Sequence, residues 1–104
     1  MSKIVRILSQ DLDNIDRAAG QYAFSANWNL PRKHTLTYLT EETGRAIADE
    51  AFHILNAPDF ALTVQQQQIA QYNKGHSLSV GDVVEAEGIQ YMCAPMGWVE
   101  RRIA

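Results

Sequence analysis

Gly75-His76-Ser77-Leu78-Ser79-Val80-Gly81-Asp82-Val83-Val84 is the stretch whose reading decides the fold. Asn73-Lys74-Gly75 just before it reads as a helix stop, a cation followed by a residue free to turn left-handed. Ser77 and Ser79 flank Leu78, an alternation of polar and apolar side chains. Gly81-Asp82 is a turn dipeptide, because glycine tolerates positive φ and aspartate hydrogen-bonds nearby amides. Val83-Val84 then opens a strand. The same device repeats downstream: a turn at Glu87-Gly88, a strand over residues 89–93, a turn at Pro95-Met96-Gly97, and a third strand over residues 98–103. Turns at such short spacing predict an antiparallel meander.

Working outward, residues 41–56 carry the strongest helical period. Ile47, Ala51, Phe52, Ile54 and Leu55 fall on one face, Thr40 stands where a cap would, and Glu41-Glu42 place negative charge in the first turn. Asn56-Ala57-Pro58-Asp59 ends that run. Thr63-Val64-Gln65-Gln66 has the form of a capping box and predicts a shorter helix through Tyr72 that docks Ile69 and Tyr72, with its glutamines at the surface. Residues 3–9 and 33–39 alternate and are β-branched enough for two strands. Residues 10–14 are polar and lead into a short helical turn ending at Gly20. Residues 21–31 have no period, although Tyr22, Phe24 and Trp28 supply apolar bulk. The expected fold is α+β: a small antiparallel sheet, with the C-terminal three-strand meander packed on one main amphipathic helix and a shorter second one.

The length of 104 residues suits a single domain with one modest core. Apolar residues at 46% and charged residues at 20% are ordinary for a folded chain, which argues against disorder. Twelve acids against nine bases give a net charge of −3, and this balance disfavours a duplex-binding domain. An acidic surface suits a soluble protein or one that meets a basic partner. One cysteine makes no internal disulfide, no apolar run reaches membrane-spanning length, and no secretory signal is read at the start, so a cytoplasmic setting is expected.

Residues 75–84, followed by Gly88, Tyr91, Cys93, Gly97 and Trp98, resemble a recurrent C-terminal pattern of small bacterial plasmid and phage proteins. The YodL-like domain family carries a similar run, and a helix end like residues 52–60 often precedes it. The resemblance covers about the last half of the chain. It implies a mobile-element setting and carries over no catalytic residues. Within it, Gly75, Ser77, Ser79, Gly81, Asp82, Gly88, Gly97 and Trp98 form the signature. A tight turn into a sheet would demand such residues on structural grounds alone.

Chemistry-bearing candidates are few. His34, His53, His76 and Cys93 lack the close-spaced pairs of a zinc site, and surface histidines with a buried thiol are the plainer reading. A Cys93–His76 nucleophile–base pair is the one catalytic arrangement within the signature region. Asp11, Asp13 and Asp16 resemble part of a cation loop but lack its central glycine and bidentate glutamate; a solvated acidic turn is the plainer reading, a partner contact the sharper one. Trp28 beside Arg32, Lys33 and His34, with Arg101-Arg102 near Trp98, has the aromatic-plus-cation form of a single-strand binder. The plainer reading puts Trp98 in the core and the arginines on an edge strand, where they discourage sheet-to-sheet pairing. No phosphate loop, dinucleotide fingerprint or nucleophile elbow is present, so no cofactor is expected.

The expectation drawn from these features is a non-enzymatic mobile-element protein that binds and modulates a host protein or complex. Counter-defence against a CRISPR or restriction complex is one form of it. Binding would use Trp28, Arg32, Lys33, Asp11, Asp13 and Asp16. A nucleic-acid accessory module using Trp28, Arg32, Lys33, Arg101 and Arg102 is the second expectation, and an enzyme using His76 or Cys93 the third.

Overall fold

The computed structural model describes residues 1–73 and 76–103. Five strands form one sheet: β1 (Lys3–Gln10), β2 (Arg32–Thr40), β3 (Val83–Ala86), β4 (Ile89–Ala94) and β5 (Gly97–Arg102). Their order is β2-β1-β3-β4-β5 and every pairing is antiparallel. The expected meander is β3-β4-β5, and β1 joins it by pairing Arg6 with Glu85, Ile7 with Val84 and Leu8 with Val83. Between β1 and β2 the register steps from Ile7↔Leu36 to Leu8↔His34, leaving Thr35 as the extra residue of a bulge. The helix stop expected at Lys74-Gly75 lies outside the described residues; the second helix, α2 (Val64–Tyr72), closes on Asn73.

The main helix, α1 (Arg45–Asn56), lies on one face of the sheet. Ile47, Ala48, Ala51 and Ile54 repeat at helical spacing and are buried against Val5, Ile7, Leu36, Tyr38, Val84, Tyr91 and Cys93. Burial of each isoleucine contributes about 1.5–3 kcal/mol, and of each alanine less. Asn56 clamps the signature to this core, its side chain accepting from the Leu78 amide at 2.6 Å and donating to the Leu78 carbonyl at 2.9 Å.

Four expectations about the helices are corrected. The helix begins at Arg45 after Gly44, and not at Glu41. Thr40 is the last residue of β2, opposite Lys3, so its hydroxyl serves the turn by accepting from the Glu42 amide and does not cap α1. Phe52 lies at the rim of the core, edge-on to Trp98 with centroids 6.3 Å apart, and remains half exposed. In α2 the capping box of Thr63 and Gln66 is present, and Ile69 packs on the core. Tyr72, expected to dock, points to solvent. With about 100° per residue, a core direction between Ile69 and Ala70 leaves Tyr72 facing sideways.

Val83 and Met92 alternate to the sheet face opposite α1, yet both are 1% exposed. Arg32 touches the Met92 sulfur while holding the carbonyls of Asn27, Trp28 and Leu30, and Leu30 is buried as well, so the segment 21–31 lies over this face. The sheet is therefore sandwiched at one end between α1 and an irregular strap. Toward the other end of the hairpin the cross-strand pair Ile4 and Leu39 is exposed.

Candidate partner-binding loop and groove

The strap is fixed by a polar hub at the end of β1. Gln10 and Asp82 are both buried. Asp82 Oδ1 accepts from the Gln10 amide at 2.9 Å and from Gln10 Nε2 at 3.3 Å, while Oδ2 accepts from the Ser79 amide at 2.9 Å. Gln10 Nε2 also donates to the Val80 carbonyl at 2.7 Å, and its Oε1 accepts from the Phe24 amide at 2.7 Å. The Gly81 amide donates to the Cys93 carbonyl, and the Cys93 amide to the Asp82 carbonyl. The Ser-Val-Gly-Asp turn of the signature thus joins β1, β4 and the strap. Gly81 has φ +98°, and a Cβ there would stand 2.6 Å from the Ser25 carbonyl oxygen and 2.9 Å from the Gln10 side chain.

Arg32 completes the inner surface of the strap. Its guanidinium donates to the carbonyls of Gly81, Trp28, Leu30 and Asn27 at 2.8–3.2 Å and touches the Met92 sulfur at 3.3 Å. Burial first, and Arg101 second, lowers its proton affinity. Arg101 lies over the Trp28 ring at 4.1 Å and donates to Gln90 Oε1. Gln90 donates to Glu85, which pairs with Arg6 at 2.7 Å. A polar ladder therefore crosses β1, β3, β4 and β5 and ends on Trp28. Trp28 is half buried, with Arg101 over its ring.

The aspartates do not converge. Asp11 stands 3.7 Å from Lys33 and accepts from Asn14; Asp16 accepts from the amides of Ala18 and Ala19 as a local cap; Asp13 lines the groove described below. Among the described residues no group of three metal-ligating side chains forms. His34 bonds to the Thr37 hydroxyl, and His53 is exposed on α1. His76 is exposed and lines one cavity; Cys93 is buried and lines another beside Phe52 and Trp98. Burial, then Asp82, pushes the Cys93 thiol up, away from the thiolate that a nucleophile needs. Trp98 is partly buried and its indole N–H donates to Asp49 at 2.9 Å. Arg101 and Arg102 lie on the edge strand β5, as the plainer reading has it. Gly88 and Gly97 occupy positive-φ turn positions.

The outer surface of the loop is different in kind. Leu12 is 53% exposed, Tyr22 62% and Phe24 59%. Phe24 has φ +57°, a left-handed conformation that is uncommon for an aromatic residue and is held by the hydrogen bond its amide donates to Gln10 Oε1. Further pins hold the loop: the Asp11 amide donates to the Pro31 carbonyl, and the Gln21 side chain bridges the Asp16 amide and the Asn29 carbonyl. Leu12 and Phe24 line a groove of about 520 Å³ that also takes in Lys33, His76 and Ser77. Sequence reading noted Tyr22 and Phe24 only as bulk. The available signal was large apolar side chains in a segment whose lack of period gives them no element face on which to bury.

No protein-family model, curated protein or solved structure matches the chain.

Proposed function

We propose that this chain is a non-catalytic binding module that engages a host protein through Leu12, Tyr22 and Phe24. The observation that carries the reading is the display of three large apolar side chains on a loop pinned from inside, with Phe24 kept left-handed. Pre-ordered aromatic side chains lose little entropy on binding and are the commonest energetic anchors of protein interfaces. Three of the five residues named for nucleic-acid binding are engaged within the chain: Arg32 with backbone carbonyls, Arg101 and Trp28 with each other. The resemblance of residues 75–84 to YodL-like proteins adds a mobile-element setting to the proposal, with a host defence complex as the class of partner.

Affinity capture from a bacterial host, followed by reconstitution of the purified pair, tests this. Tyr22→Ser with Phe24→Asn removes both rings, and asparagine tolerates the left-handed backbone. The expected result is a loss of at least about tenfold in affinity with an unchanged circular dichroism spectrum. Equal binding by the double variant and the wild type would overturn the assignment of this loop.

A further inference from the structure

At the far end of the β1–β2 hairpin from the groove, where Lys3 pairs with Thr40, β2, α1 and α2 border an open cavity of about 370 Å³. Glu41, Glu42 and Glu50 line it, and no cationic side chain does among the described residues. Glu41 is engaged by the Met1 ammonium at 3.0 Å and by the Ser2 hydroxyl, which leaves Glu42 and Glu50 as its open carboxylates. Glu50 is held in place because its Oε1 accepts from the Thr40 hydroxyl at 2.7 Å. Leu39, Ile54 and Ile69 supply an apolar wall.

Tyr38 is the independent sign that something is missing. It lines the cavity and is only 6% exposed, and its hydroxyl is shielded from solvent with no hydrogen-bond partner. A buried hydroxyl without a partner is costly and rare, so each instance calls for an explanation. Burial, and then Glu50, raises the ionisation of Tyr38 far above the ordinary range, so the oxygen stays neutral. The cavity thus presents two carboxylates to a guest, with a neutral, unpartnered oxygen set behind its wall. An anion would be repelled, an apolar guest would leave Tyr38 unsatisfied, and no metal-ligating group of three forms among the described residues.

We propose that this cavity receives the side chain of an arginine or lysine on a partner protein. The charged end lies against Glu50 and Glu42 with the Tyr38 oxygen as a further acceptor. The aliphatic stem lies along Leu39, Ile54 and Ile69. Long basic side chains combine these two surfaces, an apolar stem and a polar donor head. The site is separate from the Tyr22–Phe24 surface and suits the acidic balance of the whole chain.

The test is a titration of the full chain at low ionic strength with the blocked peptides Gly-Arg-Gly and Gly-Lys-Gly, followed by amide chemical shifts. Blocked Gly-Gln-Gly and Gly-norleucine-Gly serve as controls. Saturable shifts at Glu42, Glu50 and Ile69 are expected with at least one basic peptide and with neither control. Glu50→Gln weakens binding about tenfold and Tyr38→Phe by about threefold. Glu42→Gln, at an exposed position, provides a variant that does not threaten the fold and also weakens binding. The Tyr22→Ser, Phe24→Asn double variant binds the basic peptides as the wild type does, so failure of the loop reading and failure of this one are distinguishable. Absence of saturable shifts with both basic peptides overturns the proposal. So do equal shifts with Gly-Gln-Gly, or basic-peptide affinity unchanged by both Glu42→Gln and Tyr38→Phe.

Discussion

Asp82 is a turn residue by its neighbours and a tertiary clamp by its side chain. Locally its amide donates to the Ser79 carbonyl, which closes the turn that the Gly-Asp dipeptide announces. Its Oδ1 reaches Gln10, 72 positions away in the chain. The first role was legible because turn chemistry is local. The second was not, since nothing in the text of β1 marks Gln10 as the partner. Both carboxylate oxygens of Asp82 accept, so Asp82→Asn turns one acceptor toward a donor and is expected to cost about 2 kcal/mol. Gly81→Ala combines a positive φ with a Cβ 2.6 Å from the Ser25 carbonyl oxygen, and is expected to cost about 3 kcal/mol. Urea unfolding checks both: the midpoint falls while the slope stays that of the wild type. A neutral Gly81→Ala would mean that the strap does not sit against this turn.

At the scale of elements, strands were more legible than helix starts. β3, β4 and β5 are announced by turns at short spacing, and the capping box of α2 by two side chains three residues apart. Thr40-Glu41-Glu42 looks like a cap followed by acidic first-turn residues, but strand pairing had already claimed Thr40. Gly44, at φ +57° and ψ −140°, turns the chain into α1 instead, in a conformation that glycine reaches and other residues resist. The strap was illegible for a different reason. It has no period because its order comes from Arg32, Gln10 and the hub, contacts that no local pattern encodes. α2 is the element most dependent on its own local signals, since it buries no residue fully. Thr63→Ala removes the hydroxyl that accepts from the Gln66 amide. The expected loss is about 1 kcal/mol, or about 5 °C in Tm. Amide exchange should quicken first in Gln66 and Gln67, while β1 and β3 keep their protection.

For the molecule as a whole, the two sheet faces divide the work. The α1 face holds the main core, and the opposite face is closed at one end by the strap, which hides Val83 and Met92 and displays Tyr22 and Phe24 outward. The stability of the main core has a pH signature. Tyr38 and Tyr91 both lie in it, and burial first raises the ionisation of each, with Glu50 adding to the first and Glu100 to the second. In the unfolded chain both phenols ionise near their ordinary pKa of 10.0. The folded state keeps its protons to higher pH, so unfolding becomes more favourable as the phenols of the unfolded chain lose theirs. The contribution is therefore complete below about pH 10 and declines as pH rises above it. Cys93, buried in the same core, shares this sign from its ordinary pKa of 9.0, so thermal melts between pH 8 and pH 12 are expected to show a Tm that begins to fall near pH 9 and falls more steeply above pH 10. Tyr38→Phe removes one titrating group and makes the alkaline fall shallower than in the wild type. An identical alkaline slope in the variant would mean that the Tyr38 hydroxyl is open to solvent, and the acceptor role given to it in the acidic cavity would fall with that result.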